Sequence, residues 1–144
     1  MLNKNINNFS GNQIFKILIK TGSDKWADTT DKRLIQICDG LYPNTCCQTT
    51  LKPAKIGETA IYTEQQELGD CYDFALQDNV TVTLIAQSHN AWQVEWAKVQ
   101  LVGGISWTCP YDNEWISTDD ANAKKEITKT CYRDVKGQYN FSSW

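Results

Sequence analysis

Two stretches of alternating apolar and polar residues set the strongest limit on how this chain can fold. Apolar side chains recur at every second position in residues 15–21 and again in Val80–Ala86. This period of two is that of a β-strand with one buried face. The second stretch is also rich in the β-branched residues that strands favour. The chain therefore predicts a β protein.

Further short strands are expected between turn signals, at residues 33–38, 60–62, 71–76, 94–101, 105–109 and 115–116. The last apolar positions of the 94–101 segment are out of phase with its first, which predicts a bulge or bend near Ala97. Only residues 119–130 have a composition that could hold a helical turn or two. Seven or eight short strands with no strong helix describe an antiparallel β-sandwich.

Length and charge narrow the functional classes. The chain has 144 residues, which suits one domain with a core of its own. Its formal net charge of −3 and pI near 5.1 argue against a nucleic-acid partner held by phosphate neutralisation. No apolar run is long enough to span a bilayer, so no transmembrane segment is expected.

The cysteines form an even set of six, namely Cys38, Cys46, Cys47, Cys71, Cys109 and Cys131. They include no CxxC pair, and the chain has a single histidine, so a structural zinc site is not expected. Disulfides formed in an oxidising compartment are the favoured use, with the connectivity open. Cys46 and Cys47 are expected to form disulfides with different cysteines. The first residues lack the apolar segment of a signal peptide, so either the protein is cytosolic or Met1 stands where a signal peptide was removed. The cysteines favour the second alternative, and we expect a secreted protein.

The composition suggests three parts. Residues 1–13 are polar and asparagine-rich and predict a flexible N-terminal arm. Residues 14–118 predict the β-sandwich domain, in which residues 39–58 form a cysteine-containing loop insertion with two prolines. Residues 119–144 are expected to form a C-terminal extension packed on the domain.

Two polar loops each carry a tryptophan. The loop after the first strand holds three carboxylates, Asp24, Asp28 and Asp31, together with Trp26. A second loop, at residues 88–92, holds Asn90 and Trp92. Aspartates in such loops usually cap turns, and a loop tryptophan can lie flat on the sandwich edge. A hard-cation site beside a contact surface is the functional alternative.

Four segments together resemble the PLAT (lipoxygenase-homology) domain family. Residues 21–40, TGSDKWADTTDKRLIQICDG, resemble its opening, in which a strand ends in Thr-Gly and a variable loop closes on Thr-Asp. Residues 67–74, residues 88–99 and residues 105–109 with Trp115 resemble later segments, in the same order. The resemblance covers about residues 14–118. Asn90 stands where the family usually has Asp, and Val94 where it usually has Trp.

The resemblance implies a non-catalytic sandwich of two four-stranded antiparallel sheets that engages lipid or membrane surfaces, often through calcium, with both loops at one end. Calcium takes about six to eight oxygen ligands, and the expected donors are the Gly22 carbonyl, Asp24, Asp28, Asp31 and Asn90. Trp26 and Trp92 are then the expected lipid contacts, because tryptophan favours the interfacial zone of a bilayer.

Two other functions stay open. The insertion between Cys38 and Cys71 could present a recognition surface to a protein partner, as in an inhibitor, toxin-like or defence protein. Aromatic side chains exposed on a sheet face could instead bind a glycan. Catalysis is not expected, because a Ser-His-Asp or Cys-His arrangement would have to use the single histidine, His89.

Overall fold

The computed structural model describes residues 11–40, 45–119 and 123–135, and this part of the chain is almost entirely β. Within these described residues, nine strands, one short α-helix and one 3-10 turn follow one another. The strands and the helix are β1 (Ile14–Thr21), β2 (Arg33–Asp39), β3 (Cys46–Thr50), β4 (Thr59–Tyr62), α1 (Gln65–Leu68), β5 (Val80–Ala86), β6 (Trp92–Leu101), β7 (Ser106–Ile116), β8 (Glu126–Thr130) and β9 (Tyr132–Arg133). In the described residues no helix has both the length and the apolar character needed to cross a membrane.

The strands form two antiparallel sheets, which confirms the predicted β-sandwich. One sheet has five strands in the order β4-β1-β6-β7-β9, and the other has four in the order β3-β2-β5-β8. Four strands were expected in each sheet. The first sheet has a fifth strand because Tyr132 and Arg133 pair with the edge of β7.

The core lies between the two sheets and follows the predicted alternation. Ile17 and Ile19 of β1 face Ile35 and Ile37 of β2 across a layer of fully or almost fully buried apolar side chains. Tyr111 crosses this layer, and its hydroxyl donates a hydrogen bond of 2.8 Å to the Val82 carbonyl of the opposite sheet. Burial raises the pKa of Tyr111 far above its usual range, so the phenol stays a donor at any ordinary pH.

Several predicted strands differ from the observed ones. Residues 71–76 form the end of a 3-10 turn and a loop, in which Ala75 makes a single bridge to Gln13. The predicted strands 105–109 and 115–116 belong to one long strand, β7, which accommodates positive φ angles at Asp112 and Asn113. The irregularity in β6 lies between Val94 and Trp96, slightly before the predicted position at Ala97.

The outer parts of the chain are more integrated than the sequence suggested. Residues 11–13 of the predicted arm are hydrogen-bonded, with the Val102 N–H donating to the Gln13 carbonyl at 2.9 Å, while residues 1–10 lie outside the described part. Within the predicted insertion at 39–58, β3 pairs with β2, and residues 41–44 are not described. Within the predicted extension, β8 joins one sheet and β9 the other, so residues 126–130 form a strand where a helical turn was expected. Residues 120–122 and 136–144 lie outside the described part.

All six cysteines form disulfides, in the pairs Cys38–Cys46, Cys47–Cys71 and Cys109–Cys131. The prediction that Cys46 and Cys47 bind different partners is confirmed. The first two bonds fasten β3 to β2 and to the 3-10 turn after α1. The third joins β7 to the link between β8 and β9, where the chain passes from one sheet to the other.

The Cys109–Cys131 bond should stabilise the fold more than the Cys38–Cys46 bond does. It closes a sequence separation of 22, whereas Cys38–Cys46 closes one of 8, and the entropy that a cross-link removes from the unfolded chain grows with the loop it closes. We expect the double variant Cys109→Ala/Cys131→Ala to lose on the order of 3 kcal/mol of unfolding free energy in urea. The matched variant Cys38→Ala/Cys46→Ala should lose less, and the reverse order would contradict this assignment.

Candidate functional site

The two tryptophan-bearing loops meet at one end of the sandwich, which we call the rim. The rim consists of the β1–β2 loop, residues 22–32, and the β5–β6 loop, residues 87–91. The Asn90 side-chain amide donates to the Thr29 hydroxyl oxygen at 3.1 Å, and the Ser88 hydroxyl donates to the Asp31 carboxylate. These contacts join two loops that lie far apart in the sequence.

The rim rests on a cluster of three residues at the ends of three strands. Trp92 begins β6, Thr21 ends β1 and Arg33 begins β2. The Trp92 indole N–H donates to the Thr21 hydroxyl at 3.0 Å, and the Arg33 guanidinium lies over the Trp92 ring, 4.4 Å from its centroid. A buried indole with a satisfied N–H and a stacked cation holds the three strand ends in one geometry.

Arg33 extends this cluster into the backbone of the rim. Its Nε donates to the Asp31 carbonyl at 3.0 Å, and its Nη2 donates to the Lys52 carbonyl. Burial lowers the pKa of Arg33 to about 10, so the guanidinium keeps its charge at neutral pH. The Arg33 side chain therefore links the β1–β2 loop, β6 and the segment after β3.

The β1–β2 loop begins at Gly22, where the backbone approaches a neighbouring side chain closely. A Cβ at this position would lie 2.0 Å from Oε1 of Gln93. The Gly22 N–H donates to the Gln93 carbonyl at 2.9 Å, and the Gly22 carbonyl accepts the N–H of Gly57 at 2.9 Å. The carbonyl that was expected to bind calcium therefore already has a backbone partner.

Trp26 stands at the tip of the β1–β2 loop on a turn that Asp24 caps. The Trp26 N–H donates to Oδ1 of Asp24 at 3.0 Å, and the Ala27 N–H donates to the Asp24 carbonyl at 2.9 Å. Ala27 is fully buried, whereas Trp26 is 70% exposed. The turn thus anchors itself through a small side chain and holds the large indole outwards.

An open cavity of about 550 Å³ lies beside this tip. Its apolar surface includes Trp26, Ala91 and Trp115, and its polar surface includes Asp28, Thr30 and Asn90. Trp115 comes from β7 and is half-buried. Sequence reasoning treated Trp115 as part of the framework only, although it stands next to the last residue of a strand, a place from which side chains reach a loop end.

The five predicted calcium donors do not fit a calcium site as a set. Among the residues that the structure describes, no three Asp, Glu, His or Cys side chains form a group that could hold a metal ion. Asp24 caps the Trp26 turn, Asp31 accepts the Ser88 hydroxyl, and Asn90 donates to Thr29. Asp28 and Asn90 line the cavity. Calcium binding stays a prediction.

The prediction that Trp92 contacts lipid is wrong for this conformation. Trp92 is 2% exposed and belongs to the core. The reason is its phase in β6, since Trp92 and Val94 lie on the same inward face of the strand. Of the two predicted lipid contacts, Trp26 alone is on the surface.

Truncation of Trp92 and truncation of Trp26 should change the stability by very different amounts. Trp92→Ala removes a buried indole and should cost about 3–5 kcal/mol of unfolding free energy, whereas Trp26→Ala should change it by less than about 0.5 kcal/mol because the side chain is exposed. Urea unfolding measures both. Iodide quenching of tryptophan fluorescence gives a second test, because only Trp26→Ala should remove a strongly quenched component. Equal stability losses would contradict the assignment.

Comparisons with known proteins bear on the fold. No protein-family model and no curated protein matches the chain. Two structures of a lipoxygenase deletion variant are similar to this chain. One aligns with a TM-score of 0.62 and 15% sequence identity. The other, in complex with arachidonate, aligns with a TM-score of 0.59 and 16% sequence identity. Each alignment covers 82% of this chain and 16% of the lipoxygenase chain. A Clostridium perfringens alpha-toxin structure aligns at a TM-score of 0.47 with 17% identity, over 86% of this chain and 32% of the toxin.

This chain therefore spans about a sixth of the length of the lipoxygenase structures that it resembles. At such low sequence identity the similarity indicates a shared fold and nothing more. It supports the fold that the sequence resemblance implied, and the chain has a PLAT-like β-sandwich fold.

Proposed function

We propose that this chain is a non-catalytic module of a secreted protein that docks on lipid surfaces through the rim. The observation that carries the proposal is Trp26, a 70% exposed indole that a capped turn holds outwards at the tip of the sandwich. An exposed indole of this kind suits a polar-apolar boundary, because its ring is apolar and its N–H is a donor.

The charge around Trp26 is compatible with a membrane surface. Lys25 is exposed and its Nζ lies 5.5 Å from the centroid of the Trp26 ring. A lysine near an anionic membrane surface contributes about 1 kcal/mol, and burying one indole contributes a few kcal/mol. Contacts of this size make docking reversible, and they suit a module that assists the binding of a larger protein.

Two further observations support the proposal. The three disulfides are typical of proteins from oxidising compartments, which favours secretion. The PLAT-like fold also occurs in a lipoxygenase whose structure contains arachidonate, a lipid. Calcium assistance remains part of what has to be tested, because the predicted donors do not form a group of three acidic side chains.

The proposal is tested by co-sedimentation with vesicles that contain phosphatidylcholine and phosphatidylserine. We expect Trp26→Ala to weaken the vesicle partition coefficient about tenfold, which corresponds to a loss of about 1.4 kcal/mol. The matched control is Phe15→Ala, since Phe15 is an exposed aromatic residue near the start of β1, at the strand end away from the rim.

Each arm is run with calcium and with a chelator, which tests the calcium prediction separately. Binding that vanishes with the chelator would establish calcium assistance, and equal binding would remove calcium from the account. Equal sedimentation of wild type and Trp26→Ala would contradict docking through the rim. Protein recognition through the insertion between Cys38 and Cys71, or glycan binding, would then be the alternatives to pursue.

A further inference from the structure

We propose that the cavity between Trp26 and Trp115 binds the quaternary ammonium group of a choline lipid headgroup. This inference rests on the proposed function and names the lipid that the rim would select. The cavity is open, has a volume of about 550 Å³ and lies beside the exposed tip of the rim. A headgroup at a bilayer surface could therefore reach it while Trp26 contacts the same bilayer.

Two indoles from distant parts of the chain contribute to this one cavity. Trp26 comes from the β1–β2 loop and Trp115 from β7, where it pairs with Gln93 of β6. The face of an indole ring carries a negative electrostatic potential, so two indoles around one space attract a cation. Binding of quaternary ammonium groups by aromatic side chains is the best-known use of this interaction.

The charge of the cavity has the sign that a cation requires. Asp28 lines it, and the lining includes no lysine, arginine or histidine among the residues that the structure describes. The Asp28 side chain is exposed and has no hydrogen-bond or ion-pair partner in the described part of the chain. A bound cation would give this carboxylate a partner, whereas an anion would be repelled by it.

The ring of Trp26 already attracts a cation of the chain itself. The Lys25 Nζ lies 5.5 Å from the ring centroid, yet Lys25 does not belong to the cavity lining. A lysine ammonium is strongly hydrated and carries three N–H donors. A quaternary ammonium has no N–H donor and so needs no hydrogen-bond acceptor. An aromatic site with a single carboxylate therefore favours choline over ethanolamine.

The test uses a soluble probe and vesicles with the whole chain. Tetramethylammonium chloride is titrated against tryptophan fluorescence, with sodium chloride at the same ionic strength as the salt control. Vesicles of phosphatidylcholine and of phosphatidylethanolamine, each with the same fraction of phosphatidylserine, are compared by co-sedimentation. We expect saturable tetramethylammonium binding and at least about fivefold stronger partition onto the choline vesicles, the size of effect that roughly 1 kcal/mol of cation–π attraction gives.

Asp28→Asn is the informative variant because it removes the charge and keeps the size of an exposed side chain. It should weaken tetramethylammonium binding about tenfold, for roughly 1.4 kcal/mol, and abolish the choline preference. The matched control is Asp73→Asn, an exposed aspartate with φ 69°, a conformation that asparagine tolerates. Asp73→Asn should behave as wild type.

The possible failures are distinguishable. Equal partition of the wild type onto both vesicle types, or an unchanged Asp28→Asn variant, overturns the headgroup assignment and leaves rim docking in place. Binding of tetramethylammonium without binding to any vesicle overturns the lipid source and the proposed function together. Binding of a neutral oligosaccharide, together with no binding of tetramethylammonium, would indicate a glycan site and overturn the inference.

Discussion

The contact between Trp92, Thr21 and Arg33 is the interaction on which the functional end of this protein depends. One hydrogen bond and one stacked guanidinium connect the first residue of β6, the last residue of β1 and the first residue of β2. Because β1 and β6 belong to one sheet and β2 belongs to the other, the contact fixes how the two layers meet at the rim. The loops that follow these strand ends can then present exposed side chains while the strand ends themselves stay fixed.

The rim combines buried anchors with exposed contact groups in the same few residues. Ala27 is buried while its neighbour Trp26 is exposed, and Thr29 is buried while Asp28 and Thr30 on either side of it are exposed. This alternation gives the loop a rigid side and a binding side. The hydrogen bonds of Asp24, Asp31 and Asn90 serve that rigidity.

The strands with clear alternation could be predicted from the sequence, and those at the sheet edges could not. Val80–Ala86 has many β-branched residues and a period of two, and it forms β5 as predicted. In β8, Ile127 is the one buried apolar side chain, so the segment has the composition of a polar helix or loop. Its pairing with β5 decides its structure, and pairing between distant segments leaves little trace in local composition.

The candidate site was only partly visible in the sequence for a similar reason. Trp26 and Trp92 both follow polar loop residues, but Trp92 continues the inward phase of Val94, and that phase could have identified it as a core residue. The contribution of Trp115 to the cavity depends on β7 running unbroken to residue 116, which two positive φ angles within the strand make hard to foresee. The disulfide pairing likewise depends on distances that arise only in the fold.

The most direct test of the account is the response of individual indole N–H signals to a membrane. In nitrogen-15 labelled protein, assigned by single Trp→Phe variants, addition of phosphatidylcholine bicelles should shift or broaden the Trp26 indole signal. The Trp92 signal should stay in place and exchange slowly with solvent, because its N–H is bonded to Thr21 inside the core. An unperturbed Trp26 signal, or a Trp92 signal that exchanges as fast as that of Trp26, would contradict the account.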